Sequence, residues 1–323
     1  MGGDVGSELS QTHPGYLHEA LVHGDRDELA AGLTPVVRDA LAAGHTVLLA
    51  ARPSTVAVVR DALGDDPGLR VLPRTDELAA RPPALLDAVR RLGREAVAAG
   101  APWVRLVGEV EAGPSWRWAF EMCRTEAVSN RVMLPEPMST LCLYDTRRLP
   151  AAMVDNARRT HPRLAGADGV RPNPDYADQA ELLRALPVPH EPAQDRPPVL
   201  VADGITDFIG LRHRLAGVLH GLRRDRDTTE DFLLAVDEMA SNGVRHGRPP
   251  VGVRLWVDDG SVVCTITDDG PGVTDPFAGY GPAHGEDLSR GGMGLWLARQ
   301  LCDGVDVWRD AEGATVRLAT RLV

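Results

Sequence analysis

The residues best placed to do chemistry gather in the C-terminal third of the chain. In the segment AVDEMASNGVRHG, Glu238, Asn242 and His246 stand at positions i, i+4 and i+8. The apolar residues Phe232, Val236, Met239 and Gly243 recur at helical spacing around them. On a helix this lays an acid, an amide and an imidazole along one stripe while the apolar side packs on a sheet. Alone, such a stripe is equally a solvated face. Asp268-Asp269-Gly270-Pro271-Gly272 follows a strand pattern and is, alone, also ordinary turn chemistry. Gly291-Gly292-Met293-Gly294-Leu295 precedes a helix pattern. Exposed N–H groups at a helix start attract anions, and glycines let a phosphate approach the backbone closely.

Composition narrows what such a set can do. The 323 residues carry 35 basic against 46 acidic side chains, a formal charge of −11, and not one lysine. A P-loop NTPase or an ordinary protein kinase needs a lysine on its phosphates, and Schiff-base chemistry needs a lysine amine. All three are excluded. The arginine bias is also what a GC-rich genome produces, and the exclusion holds either way. The acidic balance argues against nucleic-acid binding. No apolar run approaches the ~18 residues of a membrane span, and the stretch Met1 to His13 is polar, so a cytoplasmic protein is expected. Cys123, Cys142, Cys264 and Cys302 lie far apart, with no CxxC pair and no histidine cluster near them in sequence. They read as reduced, mostly buried thiols.

The elements that must position these residues fall into two halves. Helical stretches are expected at 26–43, interrupted at Thr34-Pro35, and at 53–63, 82–99, 116–128 and 150–159. They alternate with strands at 46–51, 70–72, 103–109 and 139–145. This is the pattern of an α/β domain with a mostly parallel sheet covered on both faces. A proline-rich stretch, 166–198, reads as a linker holding one short helix at 178–186, which gives domains at 1–165 and 199–323. The last part reads as two helices (206–223, 229–246), a hairpin turning at Asp258-Asp259-Gly260, a helix at 294–302 and a hairpin turning at Ala311-Glu312-Gly313. That order gives an α+β two-layer sandwich on an antiparallel sheet.

Taken in order and spacing, the Glu-xxx-Asn helix, DxGxG and GxGL make residues 201–323 resemble the ATP-binding domain shared by gyrase, Hsp90, histidine kinases and MutL (the GHKL superfamily, with its Bergerat fold). Within it the sequence is most similar to actinobacterial anti-sigma regulatory serine/threonine kinases. The resemblance implies ATP and Mg²⁺ as cofactors. Asn242 would hold Mg²⁺, Asp268 would accept from the adenine amine, and Gly270 and Gly272 would lie against the nucleotide. Gly292 and Gly294 would hinge a lid over the phosphates at about 273–290, and Glu238 would be the general base. His246 joins the nucleotide site from the helix end, and Arg290 is an arginine available to the phosphate charge. Asp237, about 100° around the helix from Glu238, is expected to face solvent. His213 and His220 lie on the domain's own first helix, not on a dimerising hairpin with an acceptor histidine.

Residues 13–162 resemble the MEDS sensory domain of the DcmR type, on LHEALVHGDRDELAAGLTPVVRDALAAGHTVLLA, WVRLVGEVEAG, FEMCRTEAVSN, LCLYDTRRL and NARRTHP. Where that family carries Asn-Pro-Ala-Arg and Glu-Pro, this chain reads ARPPALL at 80–86 and Glu109-Val110. Ala50-Ala51-Arg52-Pro53 cannot cradle a phosphate. His18, Glu109, Glu126 and Asp145 are the polar candidates at strand ends, where open α/β sheets bind ligands. Singly, His18 reads as a cap or core histidine and Glu126 as the partner of a nearby arginine.

The resemblances imply an anti-sigma regulator that phosphorylates Ser/Thr of an anti-sigma-antagonist (STAS) partner. It would release or hold a sigma factor by partner switching, under sensory input from the N-terminal half. A non-catalytic, partner-sequestering module and a histidine-kinase-like signalling protein stay open as alternatives. So do homodimerisation and a small-molecule ligand of the N-terminal domain.

Overall fold

In the computed structural model, residues 15–221, 225–258, 260–281, 293–311 and 313–322 are described. The chain divides into two compact units, Met1–Gln179 and Ala180–Val323. That division falls inside the proline-rich stretch.

The first unit is built on a seven-stranded sheet of order β3-β2-β4-β5-β1-β6-β7. Its strands are β1 (Leu17–His23), β2 (Thr46–Ala50), β3 (Leu69–Leu72), β4 (Val104–Glu109), β5 (Met138–Asp145), β6 (Arg163–Gly166) and β7 (Gly169–Pro172). All pairings are parallel except that of β7 with β6. Every residue of β5 is buried, as expected of a central parallel strand covered on both faces. Leu141 and Leu143 join Leu29, Leu33 and Val37 of helix α1 (Arg26–Ala42) and Val56 and Val59 of α2 (Pro53–Leu63) on one face. Cys142 and Tyr144 join Trp118 and Met122 of α5 (Trp116–Val132) and Met153, Val154 and Ala157 of α6 (Ala151–Thr160) on the other. Two further helices, α3 (Thr75–Leu78) and α4 (Pro82–Ala98), complete this unit.

The structure differs from the sequence reading at α3, β6 and β7, which that reading did not separate, β7 lying inside the stretch read as linker, and also at α1 and β1. Helix α1 runs through Pro35 without interruption. Its residues Leu33, Thr34 and Val37 are buried around the proline, and that packing outweighs the one backbone bond a proline removes. The strand β1 was not separated from its surroundings by periodicity, because a strand buried on both faces does not alternate.

Helix α7 (Gln179–Ala185) and a 3₁₀ turn (Pro192–Asp195) lie within the proline-rich stretch. The second unit has a five-stranded antiparallel sheet of order β11-β12-β10-β9-β8. Its strands are β8 (Leu200–Ala202), β9 (Gly252–Asp258), β10 (Ser261–Asp268), β11 (Gly304–Asp310) and β12 (Gly313–Arg321). Helices α8 (Phe208–His220), α9 (Arg226–Arg245) and α10 (Gly294–Leu301) cover one face. Leu215, Phe232, Val236, Met239 and Ala298 share a core with Val253, Cys264, Ile266 and Leu318 of the sheet. The short β8, with three residues, has too few positions to show a period. Among the described residues, no helix is long and apolar enough to cross a membrane.

Candidate functional site

Helix α9 is capped by Asp225, whose carboxylate accepts from Thr228 N–H at 2.8 Å. Its buried side (Phe232, Val236, Met239, Gly243) packs on the sheet, so Glu238 and Asn242 emerge along the edge of that contact. The start of α10 meets them there. A Cβ on Gly294 would stand 2.7 Å from Asn242 Nδ2 and 3.1 Å from Glu238 Oε2, so only a glycine lets the two helices approach. Met293 stands at the N-cap of α10 and makes no side-chain cap hydrogen bond to it.

Asp268 ends β10, paired with Ala314 of β12. Its Oδ1 accepts from Gly270 N–H at 2.7 Å and Arg248 N–H at 3.3 Å. Oδ2 is turned toward Gly243, 3.7 Å from where a Cβ there would stand. Two backbone donors thus fix the carboxylate and leave one oxygen to accept from a ligand. Asn242, His246, Asp268 and Gly272 line one cleft with Met239, Ile266 and Val316. Its polar groups are few and converge on an apolar wall, the usual make-up of a small-molecule site.

The remaining candidates divide. Gly270 is buried behind Asp268 and serves by its N–H. Gly272 has φ of +72°, a turn conformation that side chains resist. His246 closes α9, its N–H bonded to Asn242 O at 2.8 Å, and its side chain is exposed at the cleft. Gly292, Arg290 and the second half of the lid segment, from 282 on, lie outside the described residues. Asp237 pairs with Arg212 of α8. His213 and His220 ride on α8, which shares the unit's core through Leu211, Leu215 and Leu219, and His220 pairs with Glu230 at 3.2 Å. Sequence reasoning missed Gly247. A Cβ there would overlap both Asp268 Oδ1 and the Gly243 carbonyl. The signal available was a glycine directly after the helix-ending histidine.

In the first unit the four polar candidates separate into two fates. Glu109 is consumed by Arg52 N–H at 2.8 Å, Arg52 Nη1 at 2.9 Å and Thr55 Oγ1 at 3.0 Å, a clasp on the start of α2. Asp145 is held by the Nε and Nη2 of Arg147, both at 2.9 Å, which keeps its carboxyl below the usual range. His18 and Glu126 come together, and the expectation of an arginine partner for Glu126 is corrected. Two imidazoles meet its Oε2, His18 Nε2 at 3.1 Å and His161 Nε2 at 3.4 Å. Burial works to raise the Glu126 pKa; the two imidazoles at its Oε2 overcome it, and the net shift is downward. Burial drives His161 down to about 3. The cysteines are free thiols, as read, but Cys142 has histidines beside it in space that sequence distance concealed.

Comparison with known proteins agrees with both halves. The family model described as "Histidine kinase-like ATPase domain" matches residues 206–320, and "MEDS: MEthanogen/methylotroph, DcmR Sensory domain" matches 17–162. The serine-protein kinase RsbW of Bacillus velezensis is 30% identical over 128 residues, covering 36% of this chain and 79% of its own. RsbW of Bacillus subtilis matches to the same extent. The anti-sigma F factor of Clostridium botulinum is 31% identical over 100 residues, 28% of this chain and 70% of its own. A crystal structure of the RsbU and RsbW domains of Rv1364c from Mycobacterium tuberculosis is 19% identical with a TM-score of 0.28, covering 65% of this chain and 48% of that one. An N-terminal MEDS sensory domain is thus joined to a C-terminal domain distantly similar to RsbW, through which the chain belongs to the histidine kinase-like ATPase family.

Proposed function

We propose that the C-terminal unit binds Mg-ATP and transfers its γ-phosphoryl group to a serine or threonine hydroxyl of an anti-sigma-antagonist (STAS) protein. In its other state it holds a sigma factor, and the N-terminal domain biases the choice. The supporting observation is the closeness of Gly294 to Asn242 and Glu238, at the start of α10 and beside the cleft that Asp268 lines. The family of the domain implies ATP.

The donor set fits that ligand. Asn242 supplies an amide oxygen, a hard ligand suited to Mg²⁺, which when bound neutralises phosphate charge. The N–H groups at the start of α10 receive phosphate oxygens in a chain without lysine. Asp268 Oδ2 accepts from the exocyclic amine of adenine, a group guanine lacks at that position. Glu238 takes the proton from the attacking hydroxyl as its oxygen bonds to phosphorus and ADP leaves.

Two substitutions test the assignment. Glu238→Ala should retain Mg-ATP affinity by calorimetry while phosphotransfer to the partner falls at least about 100-fold. Asn242→Ala should lose Mg-ATP binding, and unchanged binding would remove it from the site. Acid-labile phosphate on His213 or His220 after incubation with ATP would replace the serine-kinase reading with a histidine-kinase one.

A further inference from the structure

Four buried side chains of the first unit point their ligand atoms at one spot: His18 of β1, Cys142 of β5, Glu126 of α5 and His161 just beyond α6. His18 and Cys142 share one face of the sheet, since His18 is paired with Thr140 and Cys142 lies two residues further along. Helices α5 and α6 cover that face and bring the other two.

The spacing is that of a coordination shell. His18 Nε2 lies 3.1 Å from Glu126 Oε2 and 3.5 Å from Cys142 Sγ, His161 Nε2 lies 3.4 Å from Glu126 Oε2, and Cys142 Sγ lies 3.9 Å from it. Zinc bonds of about 2.0–2.3 Å in tetrahedral array put ligand atoms roughly 3.3–3.6 Å apart. All four ligand atoms fall within 4.8 Å of one another.

The hydrogen bonds around the quartet set its proton arrangement. The carbonyl of Ala157 can only accept, so His161 Nδ1 carries the proton of that 2.9 Å bond and Nε2 presents a bare lone pair. That Nε2 has no hydrogen-bond partner, on a residue with 0% exposure. Ser129 donates to the Glu126 carbonyl at 2.9 Å, so at 3.1 Å it accepts from His18 Nδ1–H. Neutral His18 therefore also turns a bare Nε2 inward. Two lone pairs and a carboxylate then face one another, with the Cys142 thiol as the only donor of the quartet. Such a set is short of positive charge, and a cation satisfies every member at once.

We propose that His18, Glu126, Cys142 and His161 bind one borderline divalent transition-metal ion, Zn²⁺ by preference, through Nε2, a carboxylate oxygen, Sγ and Nε2. Imidazole and thiolate select such an ion over Mg²⁺ or Ca²⁺. Binding displaces the Cys142 thiol proton to solvent, and the two ligand charges then balance the ion, which suits a buried site. Four protein ligands leave no open position, so the ion ties β1, β5, α5 and the end of α6 together rather than activating water. His18, Glu126 and Cys142 also line a largely apolar cavity with Met122, Leu106 and Val89, so the ion forms part of its wall.

The test uses the untagged full-length protein, stripped with chelator and titrated with Zn²⁺ or Co²⁺. One ion should bind per chain, and the cobalt form should show intense tetrahedral d–d bands with a thiolate charge-transfer band. Cys142→Ser should abolish the charge-transfer band, His161→Gln should weaken binding at least about 100-fold, and Ser129→Ala should weaken it about 10–100-fold without removing a ligand. Uptake below a tenth of an equivalent by the folded wild-type chain would overturn the proposal and leave a buried imidazolium–carboxylate pair. Uptake with no thiolate band would also overturn it, as would uptake that the Cys142 and His161 substitutions leave unchanged. The wild-type cobalt titration decides even where a variant fails to fold.

Discussion

At Asp268 the two carboxylate oxygens have separate tasks, one tied to the backbone of Gly270 and Arg248, the other turned toward α9. That division depends on Gly247, which leaves no room for a β-carbon beside Oδ1. Gly247→Ala should push the carboxylate away and weaken ATP binding about tenfold or more, a loss near 1.4 kcal/mol readable by calorimetry. Gly217→Ala on α8 is the contrast. A Cβ there meets nothing within 4 Å, so ATP binding should be unchanged and stability should rise by about 0.5–1 kcal/mol. Equal affinities in the two variants would refute this account of Gly247. Motif spacing made Glu238, Asn242, Asp268 and Gly294 legible as a set before any fold was known. Gly247 was not, because its requirement comes from a carboxylate twenty-one positions later pressing against its backbone. Cys142 was illegible for the same reason: its imidazole neighbours arrive from β1 and from beyond α6.

Among elements, α4 shows how the first unit fastens a helix. Arg90 and Arg94, one turn apart, both reach Glu136 in the connection before β5, with Arg90 Nε at 3.0 Å and Arg94 Nη2 at 2.9 Å from Oε1. Burial raises the Glu136 pKa, the two arginines lower it, and the net shift is downward. A depressed carboxyl adds stability that is fully present above its unfolded pKa of about 4.3 and is lost as pH falls through the lower folded value. Glu136→Gln should therefore cost about 2 kcal/mol at neutral pH, less than a fully buried pair because Arg94 is half exposed. The gap between variant and wild type should narrow as unfolding is measured at pH values stepping down below about 4. A gap that stayed constant would deny the clasp its charge. Element boundaries were legible wherever helix and strand periods alternated. They failed at Pro35, where burial of Leu33 and Val37 outvoted local propensity, and at β1 and β8, where full burial or brevity erased the period.

The molecule as a whole consists of two units, each with its own core. Calorimetry of the full chain should resolve two transitions. Mg-ATP at a hundredfold excess over its Kd should stabilise one by about 2.7 kcal/mol. Asn242→Ala should abolish that displacement, and the other transition should hold its place. A single transition moving as one block would show that the units melt together.

The order of strands in the first sheet has a consequence for synthesis. Strand β1 leaves the ribosome first, yet its partners are β5, where Leu17 aligns with Ser139, and β6. The middle of the sheet therefore stays open until most of the unit has been made, while β2 has β4 to pair with sooner. Pairings this distant in sequence are slow to close. The half of the chain most dependent on a chaperone during translation is thus the sensory one, and arrest of the nascent chain just before residue 138 should leave β1 open to proteolysis.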